Sequence, residues 1–134
     1  TIRRAISGVM DEADELLVDE VVDVLTQHRK NEWIDFHNMR IIKYGSDLHI
    51  DAHITLPFYW DLEKVHAEMD RVDELLNIHS EIAKVEVFIH PDPCLPELCG
   101  HCLVNNCTER KAPFQKKIEW NSKDIMQNRK MSLG

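Results

Sequence analysis

Five residues stand out as candidate ligands for a metal ion: His37, His53, His66, His90 and Asp92. Imidazole nitrogen and carboxylate oxygen both ligate borderline divalent ions such as zinc. His37 opens one predicted strand, His53 sits in the next, and His66 lies on the helix that follows. His90 and Asp92 end a third strand, in the run His90-Pro91-Asp92. They are far apart in sequence, so only a folded α+β domain could gather them. A second candidate metal site is Cys94-x4-Cys99-x2-Cys102-x4-Cys107, four thiols within fourteen residues.

The elements that must position these groups are legible as periodicity. A helix is predicted over about Asp14–His28, where Leu17, Val18, Val21, Val22 and Leu25 recur at three- and four-residue spacing. Two strand-like runs follow, about Ile34–Tyr44 and Leu48–Leu56, with Gly45-Ser46-Asp47 as a hairpin turn. In the second run Leu48, Ile50, Ala52, Ile54 and Leu56 alternate with His49, Asp51, His53 and Thr55. That pattern describes a sheet with one apolar face against helices and one polar face left open. In the first run His37 shares parity with Met39 and Ile41, so its face is not fixed by alternation.

Pro57 stops the second strand, and Asp61 is a suitable N-cap for a helix to about His79. Its inward stripe is Leu62, Val65, Met69, Val72 and Leu76, with His66 at the border. A third strand at about Lys84–Ile89 turns Val85, Val87 and Ile89 to the core and His90 to the other face, beside His53. The order αββαβ fits a three-stranded antiparallel sheet with both helices on one face. An exposed sheet face in so small a core invites a second copy of the chain.

The 134 residues suffice for one domain, and 43 % hydrophobic content is ordinary for a globular protein. Formal charge is −8, divided between about +4 in residues 108–134 and −12 in the rest. An acidic body attracts cations and disfavours nucleic acid and anionic membrane. The basic tail could meet lipid headgroups or fold back on the acidic body, and the second reading is preferred because its charges are mixed. No apolar run reaches bilayer length and no signal peptide is visible. The start at Thr1 instead of Met suggests a piece of a longer protein.

This arrangement resembles the cytoplasmic C-terminal domain of the cation diffusion facilitator family, proton-coupled exporters of zinc and related ions. The resemblance runs from Ser7 to about Cys94. Ser7-Gly8-Val9-Met10-Asp11-Glu12 looks like the segment joining the last membrane helix to the soluble domain. Phe36-His37-Asn38-Met39-Arg40 is similar to the family's His-Asp/Asn-Leu-Arg motif, with Met for Leu. Leu48 to Ile54 looks like its second strand, Val65-His66-Ala67 like its Ala-His motif, and Phe88 to Pro93 like its closing strand.

The resemblance implies a ferredoxin-like αββαβ module that dimerises through metal sites. It places His37, His53, His66, His90 and Asp92 at positions that ligate zinc in family members. The organisation it implies is a linker from a membrane region (1–13), a metal-binding regulatory domain (14–93), a Cys-rich loop (94–107) and a basic flexible tail (108–134). The partners it implies are a second copy, the membrane domain of the same transporter and divalent cations, zinc or another transition metal, on the cytoplasmic side of a membrane. Nucleic acid is not among them, and neither is catalysis.

The dull readings stand beside these. His28 and His79 are taken as helix-end residues that cap carbonyls, and His49 as lying to one side of the site. The five-residue set could be a solvated polar face with Asp–His hydrogen bonds. The cysteines suit a tetrahedral structural zinc site, with Gly100 allowing a tight turn and His101 able to replace one sulfur. They could equally be a reduced loop, or Cys94 could belong to the core. Two further functions remain open at this level: a stand-alone zinc-binding chaperone or interaction module, and a metallohydrolase.

Overall fold

The computed structural model describes residues 15–44, 47–80 and 84–133. The linker expected at 1–13, the family-like segment from Ser7 to Glu12 and the turn at Gly45-Ser46 lie outside the described residues. The described elements run α1 (Glu15–Gln27), β1 (Asp35–Tyr44), β2 (Asp47–Leu56), α2 (Leu62–Ile78), β3 (Val85–Pro93), a short 3₁₀ helix (Pro96–His101) and α3 (Ser122–Ile125). The fold is α+β, as the alternation and helical stripes predict. None of the described helices is long and apolar enough to cross a membrane.

The three strands lie in the order β1-β2-β3. β1 and β2 pair antiparallel, but β2 and β3 pair parallel, with Leu48 opposite Val85 and His53 opposite His90. The sheet is therefore mixed, where the sequence reading has it antiparallel throughout. The cause is α2. A helical crossover returns the chain to the starting end of β2, so the next strand runs in the same direction.

α1 and α2 pack on one face of this sheet. α1 buries Leu17, Val18, Val21, Val22, Val24 and Leu25 against Phe36, Met39, Ile41, Ile50, Ile54 and Leu56 of the strands. Each aliphatic chain buried in this way contributes about 1.5–3 kcal/mol. α2 contributes Val72 and Leu76. Leu62, expected in its stripe, is 82 % exposed. Glu68 is buried instead, at the centre of a polar knot with Trp33 Nε1 at 3.0 Å, Lys30 Nζ at 2.8 Å and Arg71 at 2.9 Å. Asp61 caps α2 as expected, accepting from the Lys64 N–H at 2.8 Å.

The C-terminal segment completes the core. Trp120, Ile125 and Met131 join the main cluster, with the Trp120 ring edge-on to Phe36 and the Arg29 guanidinium 4.0 Å above it. Ser122 bonds Asp19 of α1, and the Asn38 N–H donates to Gln127 carbonyl at 2.7 Å. The stretch read as a basic flexible tail thus lies along α1 and β1, which is the fold-back that its mixed charge favours.

Candidate metal centre

The site is built by strand register. His37 pairs with His53 across β1–β2, and His53 pairs with His90 across β2–β3. Three imidazoles from three strands therefore stand in one row. Ring centroids are 5.1 Å apart for His37–His53 and 5.0 Å for His53–His90. Asp92 lies two residues beyond His90 on the same face, and its Oδ2 reaches His53 Nδ1 at 3.0 Å and His37 Nε2 at 3.1 Å. One ligand atom from each of His37, His53 and Asp92 lies within 4.8 Å of the other two.

A bulge explains how His37 joins the polar face despite sharing parity with Met39 and Ile41. The register jumps between His37 and Arg40, so two β1 residues oppose one of β2. Asn38 takes the extra step with φ 52°, in the left-handed region that Asn tolerates better than most side chains. Before the bulge His37 faces the site; after it Met39 and Ile41 face the core.

Asp35 is the residue that sequence reasoning missed. It is fully buried and accepts from His37 Nδ1 at 3.1 Å, Thr55 Oγ1 at 2.6 Å and the Met131 N–H at 2.9 Å. Burial alone would raise its pKa, but these hydrogen bonds from His37, Thr55 and Met131 outweigh burial and hold the carboxyl below its ordinary value. A proton held on Nδ1 by Asp35 leaves Nε2, the nitrogen facing Asp92, free to ligate. This is the carboxylate–histidine pairing that orients ligands around metals. The signal was present as Asp35-x-His37, two residues apart on a strand.

The donor set therefore suits zinc-like ions: two imidazole nitrogens, one carboxylate and a buried orienting carboxylate. Lys130 Nζ stands 3.8 Å from the same Asp92 Oδ2, so a fixed cation already borders the site.

The remaining candidates fall elsewhere. His90 is exposed and stacked on His53 at 23° between planes. His66 is 77 % exposed on α2, 3.5 Å from Asp70, and does not enter the cluster within one protomer. His49 lies between Asp51 at 2.7 Å and Glu86 at 2.8 Å; burial lowers its pKa, but the two carboxylates outweigh burial and raise it. His28 Nδ1 meets the Val24 carbonyl at 3.0 Å, and its ring faces that of His79.

All four cysteines are free and line one cavity of about 240 Å³. Phe58 N–H donates to Cys94 Sγ at 3.4 Å, and Tyr59 O–H meets Cys107 Sγ at 3.8 Å. Burial raises the thiols of Cys94 and Cys102, and burial together with Cys107 pushes the Tyr59 hydroxyl up to about 12. Arg110 clasps the loop, donating to the carbonyls of Cys99 at 2.6 Å and Cys102 at 2.9 Å, with those of Ala112 and Val104 further out. His101 points away, its Nε2 at 3.1 Å from the Met131 carbonyl. Gly100 sits in a close approach: a Cβ there would lie 2.9 Å from Leu133 Cδ1, so that side-chain end would have to shift.

The family model described as "Cation efflux protein, cytoplasmic domain" matches residues 13–94, which span α1 to β3 and include His37, His53 and Asp92. No curated protein matches the chain significantly. The match covers more than half of the sequence, so the chain belongs to the family of cation efflux protein cytoplasmic domains.

Proposed function

We propose that this domain senses a divalent transition metal, zinc or a close relative, for a cation efflux transporter, and that the ion tightens its dimer. The observation that carries the reading is the convergence of His37, His53 and Asp92 to within 4.8 Å on the sheet face away from the helices. Family membership supports the transporter context, and the family is not one of enzymes. Its model, named for a dimer, supports a second copy as partner. His90 stands beside the cluster, while His66 lies exposed on α2 outside it.

The chemistry is simple. Ligation requires neutral imidazole and ionised carboxylate, so protons compete with the ion and affinity falls in acid. Two bodies of high negative charge repel on approach. An ion bound between them offsets that repulsion and crosslinks the chains. At one hundred times its dissociation constant, an ion adds about 2.7 kcal/mol per site to the bound form. That suffices to bias a pair of dimer arrangements separated by a few kcal/mol.

The test is a zinc titration of the purified chain, followed by melting temperature and by mass from light scattering. Zinc raises the melting temperature and shifts the mass toward a dimer, and His53→Ala or Asp92→Ala removes most of both responses. A melting temperature and mass that ignore zinc overturn the reading.

A further inference from the structure

The Cys-rich loop lies beyond β3, outside the His–Asp cluster, and its geometry is informative in its own right. A single zinc ion draws four thiolates to 2.3 Å from one point, about 3.8 Å from each other. Among the described residues no three cysteine sulfurs come within 4.8 Å of one another. They stand instead around a shared cavity of about 240 Å³. Its remaining walls are largely apolar, from Ile34, Phe58, Leu95 and Leu98, and its charged lining is Glu109, Arg110 and Lys111, one more cation than anion. Sulfurs held apart around a mostly apolar hollow fit a polynuclear centre, whose own inorganic atoms fill the space between them.

We propose that Cys94, Cys99, Cys102 and Cys107 together ligate an iron–sulfur cluster. Four cysteine thiolates are the usual ligand set for such clusters, and C-x4-C-x2-C followed by a fourth cysteine is one of their recurring spacings. A thiolate-ligated cluster is anionic. Backbone N–H groups aimed at sulfur, apolar walls and adjacent cations stabilise it and set its potential. The cavity and its surroundings supply these: Phe58 N–H on Cys94 Sγ at 3.4 Å, the apolar lining, and the basic residues Arg110 and Lys111. His101, the alternative ligand in the loop, turns its Nε2 to the Met131 carbonyl and is not part of the cavity lining.

The experiment uses the whole chain, reconstituted without air from ferric iron, sulfide and excess thiol, the thiol reducing as much of the iron as the cluster needs, then freed of excess reagent. Iron and acid-labile sulfide are measured per chain, with the visible absorption before and after dithionite. The expected result is about two or about four irons with equal sulfide, and a broad visible band that bleaches on reduction. Cys107→Ser, at a half-buried position, loses the band while keeping the zinc response of the His–Asp site. His53→Ala does the reverse, so the two centres fail separately. A wild-type chain that takes up no sulfide overturns the proposal, as does one that holds a single zinc in this loop without sulfide.

Discussion

The backbone N–H of Met131 donates to the buried carboxylate of Asp35 at 2.9 Å, across 96 residues of chain. Asp35 in turn holds His37 Nδ1 at 3.1 Å. The C-terminal segment is therefore joined by two hydrogen bonds to the candidate metal ligand, and a change at one end is felt at the other.

Asp35→Asn tests this link. Asn cannot accept from all three donors as a carboxylate does, and it loosens His37. Stability falls by about 1–3 kcal/mol, read from urea unfolding. Zinc affinity falls about 10- to 100-fold, as for other orienting partners of metal ligands, read by competition with a chromophoric chelator. An unchanged affinity would show that His37 does not ligate, or needs no orienting.

The same carboxylate sets a pH dependence. Its folded pKa is depressed, so its contribution is fully present above the unfolded value of about 3.9 and is lost as pH falls through the lower folded value. Urea midpoints measured downward from pH 6 decline more steeply for the wild type below pH 4 than for Asp35→Asn. Parallel curves would assign the acid sensitivity to other groups.

Lys130 places a cation 3.8 Å from Asp92 Oδ2, a ligand atom of the proposed divalent ion. Its removal relieves like-charge repulsion. Lys130→Met is expected to raise zinc affinity several-fold, equivalent to about 1 kcal/mol, and more strongly at low salt. Calorimetric titration at two ionic strengths measures both effects, and a weaker binding constant would mean that the lysine helps to organise the site.

Trp120 is the main apolar anchor of the C-terminal segment, packed on Phe36 and covered by Arg29. Trp120→Ala is expected to cost about 3–5 kcal/mol. A loss under 1 kcal/mol in urea unfolding would show that the segment packs without stabilising.

The helices and β2 were legible because their burial is periodic. The alternation of Leu48 to Leu56 alone puts His53 on the polar face, and the parity of Val85, Val87 and Ile89 does the same for His90. His37 was not assignable, because a bulge at one left-handed Asn reverses the alternation and no local pattern announces it. The parallel pairing of β3 is a property of the α2 crossover rather than of any residue in the strand. Asp35 was overlooked because the Asp35-x-His37 spacing does not by itself show burial, and the partners that hold the carboxylate there, Thr55 and Met131, come from other parts of the chain. The packing of Ile125 and Met131 escaped notice because isolated apolar residues in a polar stretch carry no period.

Arg110 fastens four carbonyl oxygens of the loop after β3 with one rigid guanidinium. The conformational freedom of that loop is thus surrendered when the chain folds, before anything binds to its sulfurs. Whatever the thiols capture meets a mould already set, and capture is correspondingly tighter than a slack loop with the same cysteines could achieve.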